Sequence, residues 1–237
     1  MDLRELLRES VAEYGVPLSD AQCDAFLLYG DLLREWTEKI NLTAITKEEE
    51  VIVKHFADSL SLQPYLPMDK AFSLIDVGTG AGFPGIPLKI ANPSMELTLL
   101  DSLDKRIQFL KHVLGSVGAE GYTCLHSRAE DAGKNPLYRE KFDVCTARAV
   151  AKLPVLLEYC LPFVKVGGMF LAMKGSDLEE LKDAGNALKL LGGEIMDCKT
   201  FKLYGGEMQR TIVLVKKVRQ TSTKFPRKAG KPTKEPL

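Results

Sequence analysis

The sequence predicts a doubly wound α/β domain, with a mostly parallel seven-stranded sheet set behind an N-terminal helical extension. Three observations carry this. From about residue 69 the apolar pattern changes from helical spacing to short strands alternating with helices. The stretch "DVGTGAGFPGIP", residues 76–87, joins the first of those strands to the first of those helices through glycines. Residues 1–68 carry only helical patterns and end at Pro64 and Pro67, which break the chain.

In order along the chain, "LRELLRESVAEYG" is an amphipathic helix that stops near Gly15. Ser19 is placed to cap the next helix, whose apolar positions Phe26, Leu27, Tyr29, Leu33 and Trp36 recur at helical spacing. Thr46 with Glu49 has the form of a capping box for "KEEEVIVKHFADSLSL". Then come strand "AFSLIDV", helix "GFPGIPLKIA", strand "MELTLLD", helix "LDKRIQFLKHVLGSVG", and strands "GYTCLHS" and "KFDVCTARA". Helix "KLPVLLEYCLPFV", strand "GGMFLAMK" and helix "DLEELKDAGNALKLLG" follow. Strands "GEIMDCKTFKL" and "RTIVLVKKV" flank the turn "YGGEMQ", a terminal hairpin expected to add antiparallel strands at the sheet edge. The organisation is thus 1–68 helical extension, 69–218 Rossmann-like domain and 219–237 basic tail. Two readings of that tail stand: a solvated, partly disordered end, or an arm that contacts polyphosphate.

Composition narrows the partners. The 237 residues have a formal net charge of +0, so any nucleic acid must be held by a local patch. No apolar run approaches the length of a membrane span, and the charged N-terminus lacks a signal-peptide block, so the cytoplasm is the expected location. The five cysteines contain no CxxC pair, and the three histidines show no metal-ligand spacing. Cys124 and His126 are two candidate ligands where structural zinc needs four, so no metal is expected. Nothing in the sequence calls for an oligomer, and a monomer is expected.

The chemistry begins at the glycine loop. Gly78, Gly80 and Gly82 permit positive φ and remove the Cβ atoms that would block a ligand. Pro84 suits a first helical turn, where its missing N–H costs nothing. "GAGFPG" satisfies the dinucleotide fingerprint G-x-G-x-x-G, so a nicotinamide-dependent oxidoreductase is one reading, though no Tyr-x-x-x-Lys proton donor is visible. Asp76 favours S-adenosyl-L-methionine instead. A carboxylate at this strand end suits the amino-acid end of a cationic cofactor and repels a diphosphate. Asp101 closes the next strand 25 residues later and can accept from ribose hydroxyls in either cofactor type. "SRAED" places Ala129 and Glu130 where an adenine edge can be read.

"DVGTGAGFPGIPLKI", "LLDSLDKRIQFL", "SRAED" and "FDVCTARAVAKLP", with "WTEKINLTAIT", "KHFADSL" and the tail "FPRKAGKPTKEPL", resemble the bacterial small-subunit rRNA methyltransferase G family. The resemblance runs from about residue 26 to the C-terminus. It implies a class I S-adenosyl-L-methionine-dependent methyltransferase acting on guanine N7 in the 530 loop of 16S rRNA, as free RNA or within a small-subunit particle. Cofactor contacts are implied at Gly78, Phe83, Ala129, Glu130 and Arg148, with Asp101 as the ribose carboxylate. A non-catalytic RNA-binding protein on the same fold is the further alternative.

Guanine N7 carries an in-plane lone pair and no proton, so its methylation needs alignment and exclusion of water but no general base. The sequence agrees: "CTARAVAKLP" stands where amine methylases of DNA bases carry [DNS]PP[YF], and no Pro-Cys nucleophile precedes it. Arg148, after the fourth strand, is the candidate catalytic residue, since its fork can order cofactor and substrate; a surface ion pair is the plainer reading. His55 and Asp58 share a helix face with Ser59 nearby, suited either to anchoring the extension or to lining the substrate entrance.

Overall fold

A computed structural model describes residues 2–176, 179–206 and 208–237. Seven strands form one sheet in the order β3-β2-β1-β4-β5-β7-β6. They are β1 (Ser73–Val77), β2 (Glu96–Asp101), β3 (Tyr122–His126), β4 (Phe142–Arg148), β5 (Val164–Lys174), β6 (Gly193–Lys202) and β7 (Gln209–Lys217). The first five pair in parallel, and β7 runs antiparallel to both β5 and β6.

The expected pair of edge strands is corrected here: of the terminal hairpin only β6 is an edge, because β7 inserts between it and β5. Burial explains the order. The apolar run of β7 is buried from Thr211 to Val215, whereas β6 has no fully buried position and suits the outside.

Each central strand feeds two cores, because successive side chains point to opposite faces. Leu74, Leu97, Leu99, Val144 and Leu171 face one side; Ile75, Leu100, Cys145 and Phe170 face the other. The first core is covered by α5 (Gly85–Ala91), α6 (Asp104–Ser116) and the N-terminal helices; the second by α8 (Leu153–Cys160) and α9 (Gly185–Leu191). Phe26, Tyr29, Leu33 and Phe56 of the extension lie in the same apolar cluster as Leu74 and Phe109, so the extension completes one face of the sheet.

The extension contains α1 (Leu3–Ala12), α2 (Asp20–Ile40), α3 (Glu48–Val51), a π-helical turn (Ile52–Ala57) and α4 (Asp58–Leu60). Ser19 caps α2 reciprocally with Gln22. The Thr46–Glu49 capping box does not form: the helix begins one residue later, with Lys47 at the cap and no side-chain bond. Glu48, Glu49 and Glu50 crowd its first turn instead, where negative charge meets the positive helix end. Helix α5 also starts late; Pro84 is its cap rather than its first residue. The helix expected from Asp177 is a short 3-10 turn, Glu179–Leu181, followed by α9; Asp177, Leu178 and the turn residue Glu207 lie outside the described residues.

The tail corrects the expectation of disorder. It returns across the domain to α7 (Ala129–Ala132) and α8, burying Pro226 and Pro232, and ends in α10 (Lys231–Lys234).

Candidate functional site

The sheet changes winding direction between β1 and β4, and α/β folds open a crevice at the carboxyl ends there. The glycine loop lies over that point. Asp76 is fully buried beneath it, and its Oδ2 accepts from the Thr79 hydroxyl at 2.7 Å and the Gly85 N–H at 2.9 Å. Its Oδ1 is buried without a partner. Burial pushes the carboxyl up to about 6, against the pull of those two donors.

Three glycines here are sterically required, and a Cβ on Gly85 would sit 2.4 Å from Leu99. A Cβ on Gly78, at φ +69°, would sit 2.8 Å from Val150, and one on Gly82, at φ +97°, 2.6 Å from Ile86 and 2.8 Å from the Tyr29 hydroxyl. Gly80 faces open space. Its N–H donates to Asp101 Oδ2 at 2.9 Å, so the carboxylate that ends β2 also ties down the loop. Asp101 Oδ1 accepts from Leu103 N at 3.0 Å, and Arg106 makes a longer contact of 3.3 Å to Oδ2.

Two clefts flank the loop. The first, about 240 Å³, brings together Gly78, Asp101, Ala129 and Glu130, with Val150 beside them and Tyr159, Gly230 and Thr233 as further walls. The second, about 320 Å³, is lined by Lys54, His55, Asp58, Arg148, Lys174 and Arg210 among others. Arg148 therefore lines a different cleft from Gly78, Asp101, Ala129 and Glu130. Phe83 is buried between Tyr29 and His55, ring centroids 5.3 Å and 4.5 Å away, with the Arg148 guanidinium 4.8 Å above its ring.

Arg148 is no exposed ion pair. It donates to Asp58 Oδ2 at 2.8 Å and to His55 Nδ1 at 3.1 Å, while Arg210 donates to Asp58 Oδ1 at 3.1 Å. Because arginine can only donate, His55 Nδ1 is the acceptor and Nε2 carries the proton, 2.8 Å from the Thr43 hydroxyl. Burial, then the nearby Arg148 charge, push His55 down to about 3, so the ring stays neutral. His55 and Asp58 thus both anchor the extension and line the second cleft.

Glu130 lines the first cleft and also holds the tail. Its carboxylate is buried, and Oε1 accepts from the Gly230 N–H of the tail at 2.9 Å. Sequence reasoning missed Arg210, Tyr159 and Thr233 at these clefts. Only Arg210 carried a signal, as the polar first turn of a strand that must begin beside the carboxyl ends of the parallel strands. Cys124 is half-buried with its thiol pushed up to about 11 by burial, and exposed His126 bonds the Ser102 carbonyl. Among the described residues no group of three or more His, Cys, Asp or Glu side chains is placed to hold a metal, and no helix is long and apolar enough to cross a membrane.

The sheet order, the glycine loop at the switch point and the acid ending β2 define a class I S-adenosyl-L-methionine-dependent methyltransferase. Solved structures share the fold: a 16S rRNA (adenine(1408)-N(1))-methyltransferase from Catenulisporales acidiphilia superposes with a TM-score of 0.52 at 17% identity, covering 63% of this chain and 89% of that one. TYW2 of M. jannaschii, solved in complex with AdoMet, gives 0.50 at 12% identity over 62% of this chain and 69% of its own.

The family is narrower. The model of rRNA small subunit methyltransferase G matches residues 22–213. Ribosomal RNA small subunit methyltransferase G of Acetivibrio thermocellus is 54% identical over 100% of this chain and 98% of its own length. That of Alkaliphilus oremlandii is 50% identical with both chains covered completely. The chain belongs to the rRNA small subunit methyltransferase G family, and it is an S-adenosyl-L-methionine-dependent rRNA methyltransferase.

Proposed function

We propose that the enzyme methylates N7 of a guanine in the 530 loop of 16S rRNA, binding the donor in the first cleft and the target base at the second. It acts as a monomer in the cytoplasm, on the RNA itself or on a small-subunit particle. The carrying observation is that the basic atoms of the second cleft are already engaged. Asp58 is held between two guanidiniums, and both ring nitrogens of neutral His55 are hydrogen-bonded. Such a site aligns a nucleophile that has no proton to lose, and N7 is one.

The residues present fit the donor. Asp76 Oδ1, buried and unpartnered, is the acceptor left for an ammonium or its bound water. Open space at Gly80 admits a close approach. Asp101 keeps a lone pair on Oδ1 for one ribose hydroxyl; engaging a second hydroxyl on Oδ2 replaces the long Arg106 contact. Gly78, Gly82 and Phe83 hold the loop's shape, and Ala129 with Glu130 close the adenine side. When bound, S-adenosyl-L-methionine supplies an electrophilic methyl on a sulfonium. Arg148 orders the two clefts, stacked on Phe83 and fixed by Asp58 and His55. Its fork is suited to guanine O6 or an adjacent phosphate. The extension roofs the junction and excludes water.

The test is tritiated donor with 16S rRNA and with small subunits from a strain lacking the enzyme. Label recovered as 7-methylguanine is expected; label on a pyrimidine, a ribose or another guanine atom would overturn the N7 assignment.

A further inference from the structure

The basic tail has so far two readings, a loose end or an RNA arm, and its packing fits neither. Arg227 is turned inward, where its backbone N–H and guanidinium hold both oxygens of the fully buried Glu158 at 2.6–3.1 Å. Glu158 lies 69 residues away on α8, and a carboxylate without solvent needs this cation, so the pair pins the tail to the domain. Arg139 adds three carbonyls of the tail, those of Thr221, Ser222 and Phe225, at 2.6–3.2 Å.

Past this anchor the chain crosses the mouth of the first cleft. The Gly230 N–H meets Glu130, the Thr233 hydroxyl lies 3.0 Å from the Tyr159 hydroxyl, and Gly230 and Thr233 line the same cavity as Asp101 and Ala129.

We propose that the C-terminal tail is the outer wall of the cofactor cleft: it closes the adenosine end and sets cofactor affinity, with Arg227, Glu158 and Glu130 as positioning residues. The cavity has protein on three sides without it: the glycine loop, the Asp101 turn and the start of α7. Residues 230–233 supply the fourth. Glu130 then acts on the cofactor through the tail, holding Gly230 in place, which accounts for a buried acid aimed at a backbone N–H. The remaining exposed cations, such as Lys224 and Lys228, face solvent and take no part in this wall.

This rests on the first cleft being the cofactor site, and the test separates the two. Calorimetric affinities for S-adenosyl-L-methionine and for 5′-methylthioadenosine, which lacks the amino-acid end, are compared in the full-length protein, Arg227→Ala, Arg227→Lys and Thr233→Ala. Arg227→Ala is expected to weaken both ligands by the same factor, about tenfold, with Arg227→Lys between it and wild type. Thr233→Ala, which leaves the anchor intact, is expected to weaken both about threefold. KM for rRNA at saturating donor should stay within about twofold. Unchanged affinities with a raised KM for rRNA would overturn the wall and make the tail an RNA arm. Loss of affinity for S-adenosyl-L-methionine alone would also overturn it, since the tail meets only the adenosine end. Failure of the wild type to bind either ligand would instead overturn the reading of the cleft. Should Arg227→Ala not fold, the Thr233→Ala result decides.

Discussion

The two clefts beside the glycine loop are built in opposite ways. The first is made of strand ends and short turns close to them in sequence, plus a tail strapped on from outside. The second is made by convergence: Arg148, Asp58 and Arg210 meet across separations of 90 and 152 residues. Beneath the glycine loop that borders the first, Asp76 is a buried acid with an unpartnered oxygen; the second cleft has its acid paired twice and its histidine bonded at both nitrogens. Unmet polar capacity marks the place that receives a charged ligand. Fully met capacity marks a place that holds its own arginines rigid, ready for substrate.

Breaking the second cleft should have the largest effect. Arg148→Ala is expected to lower the single-turnover methylation rate about a thousandfold, or about 4 kcal/mol, with the fold retained by circular dichroism. Asp58→Ala leaves two guanidiniums facing each other where a 1% exposed carboxylate stood, and should cost about 3 kcal/mol of stability in urea denaturation.

Asp76 beneath the loop and His55 of the second cleft should also respond to acid with opposite sign. Asp76 has its folded pKa raised to about 6, above the ordinary carboxylate value. The stability it contributes is therefore full below about pH 4 and is lost as pH rises through about 6. The difference is about 2 to 3 kcal/mol, which Asp76→Asn should abolish. His55 has its pKa lowered to about 3, so the stability it contributes is full above about pH 6.5 and is lost as pH falls toward 3. Stability of wild type, Asp76→Asn and His55→Asn measured across that window should show the two slopes; parallel curves would contradict both. The smallest effect belongs to the joint between extension and loop. Tyr29→Phe removes the hydroxyl that donates to the buried Ala81 carbonyl and is expected to cost about 1 kcal/mol and weaken donor binding severalfold.

The contrast also shows what the sequence makes legible. All seven strands and the positions of Asp76, Asp101 and Ala129 follow from local pattern, because strand ends and glycine turns are encoded by neighbours. The insertion of β7 beside β5 does not, since a hairpin pattern says nothing about which strand docks. Nor does the meeting of His55 with Phe83, which depends on a π-helical turn at Ile52–Ala57 that propensity cannot distinguish from α-helix. The tail misled for a different reason. Its lysines and prolines read as solvated chain, while its docking rests on partners far away in sequence, Arg227 matched to buried Glu158 and its carbonyls held by Arg139.

What binds these regions into one account is that the site aligns two reactants and takes no proton. The single-turnover methylation rate with saturating donor and small subunits, followed from about pH 6.5 to about pH 8.5, tests this most directly. A profile flat to within about twofold is predicted, because N7 is unprotonated throughout and no residue of the second cleft must lose a proton. A rate rising about tenfold per pH unit to a plateau would reveal a general base and contradict the account.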